Sequence, residues 1–483
     1  MKHNHSGKTY APTPSRTEFL TLCNYISYYN WIYYHVDESR AFLTALKTDS
    51  QRVFVTYRGA DQWWEVFVAL YGLKTSPRDY DITKERKLLE EGFVRLHLCN
   101  STYLKYTDDS YVIAYAFVDD FVFTGPDADL VLSVMESWRR LVTTTAPIQN
   151  ASTVLGLQID RCCEGKVICI SLQKKIEEVV DKYLDEVERQ YIRQTPIGQS
   201  DYVIEDIAYS DMDPTLATYL DKKSIKVYMG IVGSLVWIMG VRFDISFAVC
   251  YLSWYSQAPR LHHMKVAKRV LQYLNYTKEL PLVFGGAVEH SAASIMSITD
   301  ASVGTAPKGK SIVGNIVKLN DLSGAVFVKA AKSTVVHTSS YTSELEGILA
   351  AIRNGLWIKN ILLELRLVES ANIVVYNDNQ KALEFVDGVA SAKNTKYMEL
   401  RMYAIQEYLN TNQASVRYVT GSTLLADTLT KVVSVNQFKM FTKDIMGIRL
   451  LDARSGLIVD PSIRGILDGV CRRVYPVDNI SSG

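Results

Sequence analysis

The stretch Tyr111-Val-Ile-Ala-Tyr-Ala-Phe117-Val118-Asp119-Asp120-Phe121-Val122-Phe123-Thr124-Gly125 places two adjacent acids between two apolar, β-prone runs. That pattern predicts an antiparallel hairpin with Asp119 and Asp120 at its turn. Two ionised carboxylates in so apolar a setting are costly unless something positive sits between them, and a hard divalent cation with oxygen ligands is one such partner. An ordinary Asp-rich turn fits the pair equally well. The dipeptide alone therefore assigns no chemistry.

Moving outward from the hairpin, a helical stretch is expected at residues 16–29 and further strands at 31–36 and 52–57. A third acid, Asp37, ends the aromatic run Tyr33-Tyr34-His35-Val36. Residues 173–187 are amphipathic and charged, and 199–222 read as a loop-rich connection with Pro214. Residues 226–256 and 265–276 carry apolar residues at helical spacing, a helical spacer with no convergent polar cluster and no chemistry of its own. From Ser294 the pattern turns to strands at 295–299, 312–319 and 325–330. A long helix follows, its start placed by the capping-box spacing of Ser343 and Glu346 and its buried face by Leu345, Ile348, Leu349, Ile352 and Leu356. A strand at 372–376, a helix around 398–409 and a strand at 415–420 complete this region.

A second set of acids punctuates these elements. Asp300 closes a strand, Glu344 lies in the first turn of the long helix, Asp378 follows the strand at 372–376, and Asp427 comes after the last strand. Acids at strand ends and helix starts can converge. Each also has a plain structural role, since Glu344 suits a helix N-terminus and Asp378 can cap the next helix.

Bulk properties bound the answer without giving it. The 483 residues, 48% hydrophobic and 22% charged, imply two to four globular domains. The longest apolar stretch, 230–241, is cut by Arg242 and Asp244, short of the roughly 20 residues that a membrane span needs. The N-terminus lacks a secretory pattern, so a reducing compartment and free thiols are expected, and Cys162, Cys163 and Cys169 complete no zinc spacing. A net charge of +1 does not by itself announce a nucleic-acid partner. Local arrangement has to decide.

Taken together, the motifs resemble a known family. Asp37 with Ala41-Phe42-Leu43 resembles the first catalytic motif of reverse transcriptases, and Phe117-Val118-Asp119-Asp120 resembles their tyrosine-valine-aspartate-aspartate motif. Between them, Ala69-Leu70-Tyr71-Gly72-Leu73-Lys74-Thr75-Ser76-Pro77-Arg78 resembles the corresponding block of copia-type retrotransposon polyproteins. Asp300, Glu344, Asp378 and Asp427 resemble the metal-binding quartet of the ribonuclease H domain of such elements. Ser339-Ser340, Gly355-Leu356-Trp357-Ile358-Lys359, Asp378-Asn379-Gln380 and Thr430-Lys431 add to that likeness. Tyr228 to Leu235, Arg242 to Ile245 and Arg269 to Leu274 are similar to the connecting region, so the resemblance runs from about Thr9 to about Lys431.

The resemblance implies an α+β multidomain chain. Its parts would be a reverse-transcriptase palm and thumb region, the palm built of an antiparallel sheet with helices (1–198, fingers truncated), a helical connection (199–290), an α/β ribonuclease H-like domain with a mixed sheet (291–433) and a tail (434–483). The implied activity is RNA-directed DNA polymerisation at Asp37, Asp119 and Asp120, with RNA-strand hydrolysis at Asp300, Glu344, Asp378 and Asp427. Each site would hold two Mg2+ or Mn2+ ions, with the backbone carbonyl of Glu38 as a further ligand at the polymerase site alone. Phe42 stands where these enzymes place a steric gate against the ribose 2′-hydroxyl, and Gly72, Lys74 and Arg78 would approach substrate. Implied partners are an RNA template, a DNA primer, RNA–DNA hybrid and deoxynucleoside triphosphates, with no membrane and a homo-oligomer left open, in a cytoplasmic virus-like particle or the nucleus.

The sequence also departs from the family. Phe117 replaces the usual Tyr, Thr75 the usual Gln, and Tyr397 a His associated with product release. Lys8-Thr9-Tyr10-Ala11-Pro12 matches a block normally preceded by basic fingers residues, and upstream protease and integrase regions are not in this sequence. The expectation is thus a fragment, or a copy that keeps its ligands and polymerises poorly. The competing readings are a degenerate or co-opted copy that binds nucleic acid without chemistry, and a cellular enzyme of another metal-dependent class.

Overall fold

The computed structural model describes residues 9–48, 52–56, 61–204, 214–286, 293–386 and 396–454. The chain divides into two compact units, 1–155 and 156–483. The architecture is α+β and multidomain, with an antiparallel sheet in the first unit and a mixed sheet in the second.

In the first unit the hairpin forms as its alternation requires. Tyr111–Phe117 pairs with Asp120–Thr124, and Phe117 lies opposite Asp120 across a turn of two residues, Val118 and Asp119. Tyr33–Asp37 and Thr102–Tyr106 flank this hairpin within a six-stranded sheet. Both faces are covered. Phe19 of the helix Arg16–Tyr29 meets Tyr115 on one side. Ala114, Ala116, Phe121 and Phe123 pack with Val131, Met135 and Trp138 of Ala128–Leu141 on the other. The helix on residues 16–29 is stopped by a Ser15 cap that accepts from the Glu18 amide and by Asn30 in the left-handed region. Residues 52–57 give only the short strand Phe54–Val55, and residue 57 lies outside the described residues.

The second unit opens with antiparallel strands Leu157–Cys162 and Val167–Ser171, the latter also paired with Leu282–Gly285. Helices Lys222–Ile238, Ser246–Ser253 and Leu261–Tyr276 follow the expected apolar spacing. The expectation that this region lacks a convergent polar cluster is corrected. Arg242 donates to both carboxylate oxygens of Asp244 at 2.9 and 2.7 Å, and to the carbonyl and hydroxyl oxygens of Thr277 at 2.8 and 2.6 Å. The Tyr273 hydroxyl donates to Asp244 at 2.5 Å. Arg242 is 0% exposed, so the cluster is a buried structural lock, closed by Tyr273 and Thr277, which lie too far along the sequence for spacing to reveal. No helix among the described residues is long and apolar enough to cross a membrane.

A five-stranded mixed sheet then forms. Ala293–Ala306 runs antiparallel to Lys310–Lys318 and parallel to Ala371–Asn377, with Phe327–Lys332 and Ala414–Tyr418 at the edges. The helix Ser340–Glu364 lies on this sheet at close range. A Cβ on Gly347 would stand 2.8 Å from Thr299 Oγ1, and one on Gly355 2.8 Å from Ile373 Cγ2. Glycine at both positions lets helix and strands approach.

Two local expectations are corrected here. The helix starts at Ser340 rather than at a Ser343 cap, because the Ser343 hydroxyl turns back to the Ser340 carbonyl and Glu346 is engaged by Ser333, His337 and Arg401. Glu344 consequently lies beyond the first turn. Asp300 does not close its strand but sits within it, opposite Gly314, because the strand continues to Ala306 through an irregular pairing with Lys310–Lys318.

Two candidate carboxylate metal centres

In the first unit, period-2 geometry and strand register bring three acids together. Asp37 ends its strand directly opposite Asp120, and the Asp119 carbonyl accepts from the Glu38 amide at 2.8 Å, which ties the turn to the end of the neighbouring strand. One carboxylate oxygen from each of Asp37, Asp119 and Asp120 lies within 4.8 Å of the others. Burial, followed by the neighbouring carboxylates, pushes the Asp37 and Asp119 carboxyls above their ordinary range. Val118, a β-branched residue, is held at φ 57°, a strained conformation for such a side chain. The turn that presents Asp119 is therefore kept by its surroundings rather than by local preference.

The residues around this cluster divide by what they touch. His35 Nε2 lies 3.0 Å from Asp120 Oδ1. Sequence reasoning missed this contact, although His35 and Asp37 are two apart on one strand and so share a face. Glu38 is buried, accepts from Tyr80 Oη at 2.7 Å and lies 3.8 Å from Lys87 Nζ. Phe42 is half-buried, its ring edge-on to Tyr71 and Tyr80 at centroid distances of 5.0 and 5.8 Å. Gly72 takes φ 92°, and a Cβ there would meet nothing within 4 Å, so the backbone conformation and not crowding within the chain selects glycine. Lys74 is exposed, whereas Arg78 is half-buried, 2.7 Å from Asp79 and donating to Thr48 at 2.8 Å.

The second unit gathers acids from three elements. One oxygen each from Asp300, Glu344 and Asp378 lies within 4.8 Å of the others, with Asp300 and Glu344 buried. Parallel pairing of Ile298 with Tyr376 aligns the two strands so that Asp378 emerges beside Asp300. Asn377, also missed from sequence, donates to Glu344 at 2.9 Å and to the Thr299 carbonyl at 3.1 Å. Burial first and Asp300 second push the Glu344 carboxyl up to about 9. Burial also raises Asp378, with Asp300 adding to it.

Asp427 stands beside this trio rather than within it. It is buried, Lys431 Nζ lies 2.8 Å from its Oδ1, and burial pushes its carboxyl up to about 6 against the pull of that lysine. Thr430, from the same segment, donates to Asp300. Gly314 makes room for this segment, since a Cβ there would lie 2.7 Å from Leu429 Cβ. Tyr397 falls in the helix Lys396–Asn410, and its side chain lies outside the described residues.

Both clusters offer only carboxylate oxygens, close together and partly desolvated. Such donor sets suit hard divalent cations. The residues present therefore fit a divalent metal at each cluster.

Residues 2–198 match the family described as reverse transcriptase (RNA-dependent DNA polymerase). The chain is 25% identical over 383 residues to the retrovirus-related Pol polyprotein from transposon TNT 1-94 of Nicotiana tabacum, covering 79% of this chain and 28% of that protein. It is also 25% identical over 471 residues to the Pol polyprotein from transposon RE2 of Arabidopsis thaliana, covering 95% of this chain and 30% of the relative. A foamy viral protease-reverse transcriptase solved with RNA/DNA hybrid is 13% identical at a TM-score of 0.45, covering 85% of this chain and 46% of that one. The chain is thus similar to the reverse transcriptase family over residues 2–198 and to transposon Pol polyproteins along most of its length. It spans less than a third of the length of those two relatives.

Proposed function

We propose that this chain is the reverse transcriptase and ribonuclease H part of a copia-type LTR retrotransposon Pol polyprotein. In this reading residues 1–198 carry the polymerase palm and thumb region, 199–290 the connection, 291–433 the nuclease and 434–483 a tail. The observation that carries it is the presence of two separate all-carboxylate clusters in one chain, the first in a segment of the reverse transcriptase family.

Asp37 and Asp119 would be the principal metal ligands for polymerisation, with Asp120 completing the set and His35 orienting it. Asp300, Glu344 and Asp378 would do the same for hydrolysis, with Asp427 fourth. When bound, a pair of Mg2+ or Mn2+ ions at each cluster supplies activation of the attacking oxygen and stabilisation of the leaving one. Phe42, braced edge-on by Tyr71 and Tyr80, is a rigid wall suited to rejecting a ribose 2′-hydroxyl. Lys74 is exposed on the loop that follows Gly72, and recruitment of Arg78 to phosphate would require it to leave Asp79. Partners in this reading are an RNA template, a DNA primer, RNA–DNA hybrid and deoxynucleoside triphosphates.

The test uses the full chain with Mg2+ or Mn2+. Primer extension on an RNA template is expected and should vanish in Asp119→Asn. Cleavage of the RNA strand of a hybrid should persist in that variant and vanish in Asp378→Asn. If the wild-type chain does neither with either metal, the enzymatic reading is wrong, and hybrid binding without turnover would identify a non-catalytic copy.

A further inference from the structure

The long helix Ser340–Glu364 has a second face. Glu346, Ala350, Arg353 and Asn354 form a stripe that begins roughly 200° around the helix from Glu344, turned away from the carboxylate cluster. This stripe faces the outer part of the sheet, where Asn315 lies opposite Lys329 and Val313 opposite Ala331. The strand Phe327–Lys332 is an edge, and the helix meets its start where the Trp357 ring lies 6.1 Å from that of Phe327. Between them lies a cavity of about 300 Å3, at the lower end of the range for small-ligand pockets.

Charge around this cavity is one-sided. Lys329, Lys332, Arg353 and Arg401 line it against a single acid, Glu346. That acid is already occupied, since its Oε2 lies 2.8 Å from Arg401 and 2.9 Å from His337 and accepts from Ser333 at 2.9 Å. Lys332 rests on the Trp254 ring at 5.6 Å. Lys329 and Arg353 have no ion-pair partner among the described residues. Cations gathered around one concavity repel one another and focus a positive potential into it, and a multiply charged anion relieves both effects.

We propose that this groove is a phosphate-binding site, separate from both carboxylate clusters, for the backbone phosphate of a nucleic-acid strand or for a free phosphorylated compound. Arg353 supplies a planar fork matched to two phosphate oxygens, and Lys329 a point charge from the facing strand. Ala350, between Glu346 and Arg353 on the helix, leaves the space that the ligand fills. The site does not depend on turnover at either cluster, so its test is run without metal.

Two full-chain variants separate charge from space: the double substitution Lys329→Glu with Arg353→Glu, and Ala350→Trp, which fills the cavity without changing its charge. Each is first checked for wild-type circular dichroism and thermal melting. Binding is then measured in EDTA with a short RNA–DNA hybrid and with inorganic pyrophosphate, the latter by its effect on Tm. If a strand supplies the phosphate, both variants weaken hybrid binding roughly tenfold or more, and the charge variant lowers the salt slope by about 1. If a free compound supplies it, both variants keep hybrid affinity and lose the pyrophosphate-induced rise in Tm. Loss in the charge variant alone would mean a long-range effect and overturn the site, as would no change in either variant.

Discussion

Asp37 and Asp120 are directly opposed at the end of an antiparallel ladder, and Asp119 completes a cluster in which one oxygen from each acid lies within 4.8 Å of the others. Like charges placed opposite one another destabilise a sheet, so without a cation the arrangement works against the fold. Asp37→Asn is expected to raise the Tm of the metal-free chain slightly while abolishing the further rise that Mn2+ gives through this cluster. Differential scanning calorimetry with EDTA and with Mn2+ reads both, and a lower metal-free Tm in the variant would contradict the repulsion argument.

Glu344 makes the second cluster pH-dependent. Its carboxyl is near 9 in the folded chain against an ordinary value of 4.5, so folding favours the protonated form. Stability from this group is fully present below about pH 4.5 and is lost as pH rises towards 9. Glu344→Gln should therefore raise the metal-free Tm by roughly 3–8 °C at pH 8 and by little at pH 5. In the wild type, Mn2+ binding at pH 7 should release protons, seen as a buffer-dependent enthalpy in titration calorimetry. A buffer-independent enthalpy would show Glu344 already ionised.

The Arg242–Asp244 pair is buried with its hydrogen bonds satisfied, and losing one member strands the other. Arg242→Met should cost about 3–5 kcal/mol in urea unfolding, whereas the double change Arg242→Met with Asp244→Leu should recover a large part of that. A double variant as unstable as the single one would show that the lock contributes more than it costs in desolvation.

Gly314 sets the position of the segment that carries Asp427, Thr430 and Lys431. In Gly314→Ala the new methyl group meets Leu429 Cβ and Thr430 Cγ2 at 2.7 and 3.1 Å, so the segment must retreat from Asp300. Hybrid cleavage should fall well below that of the wild type, primer extension should be retained, and stability should drop by about 1–3 kcal/mol. Unchanged cleavage would show that Asp427 and Thr430 have no part in the second site.

Much of the fold was legible because hydrophobic periodicity is a local signal. The hairpin around Asp119 and the helix on residues 16–29 appear in the structure as their patterns require. Misreadings came where a local cue competed with a distant partner. Ser343 and Glu346 have capping-box spacing, yet Glu346 is claimed by Arg401, 55 residues on, and the helix begins earlier. The buried lock of Arg242 joins Thr277, 35 residues away, and no spacing rule anticipates that.

The sequence by itself determined which acids stand at a hairpin turn, on a helix and after a strand, because residue type and apolar alternation are written locally, but it ended the strand of Asp300 too early. Only the tertiary structure decided that Asp37 faces Asp120, that Asp300, Glu344 and Asp378 share one point while Asp427 is held beside them by Lys431, and that His35, Asn377 and Thr430 orient the carboxylates. The reason is physical. Convergence depends on strand register and on how closely Gly347, Gly355 and Gly314 let neighbouring elements approach, and those are properties of packing between segments rather than of any one segment.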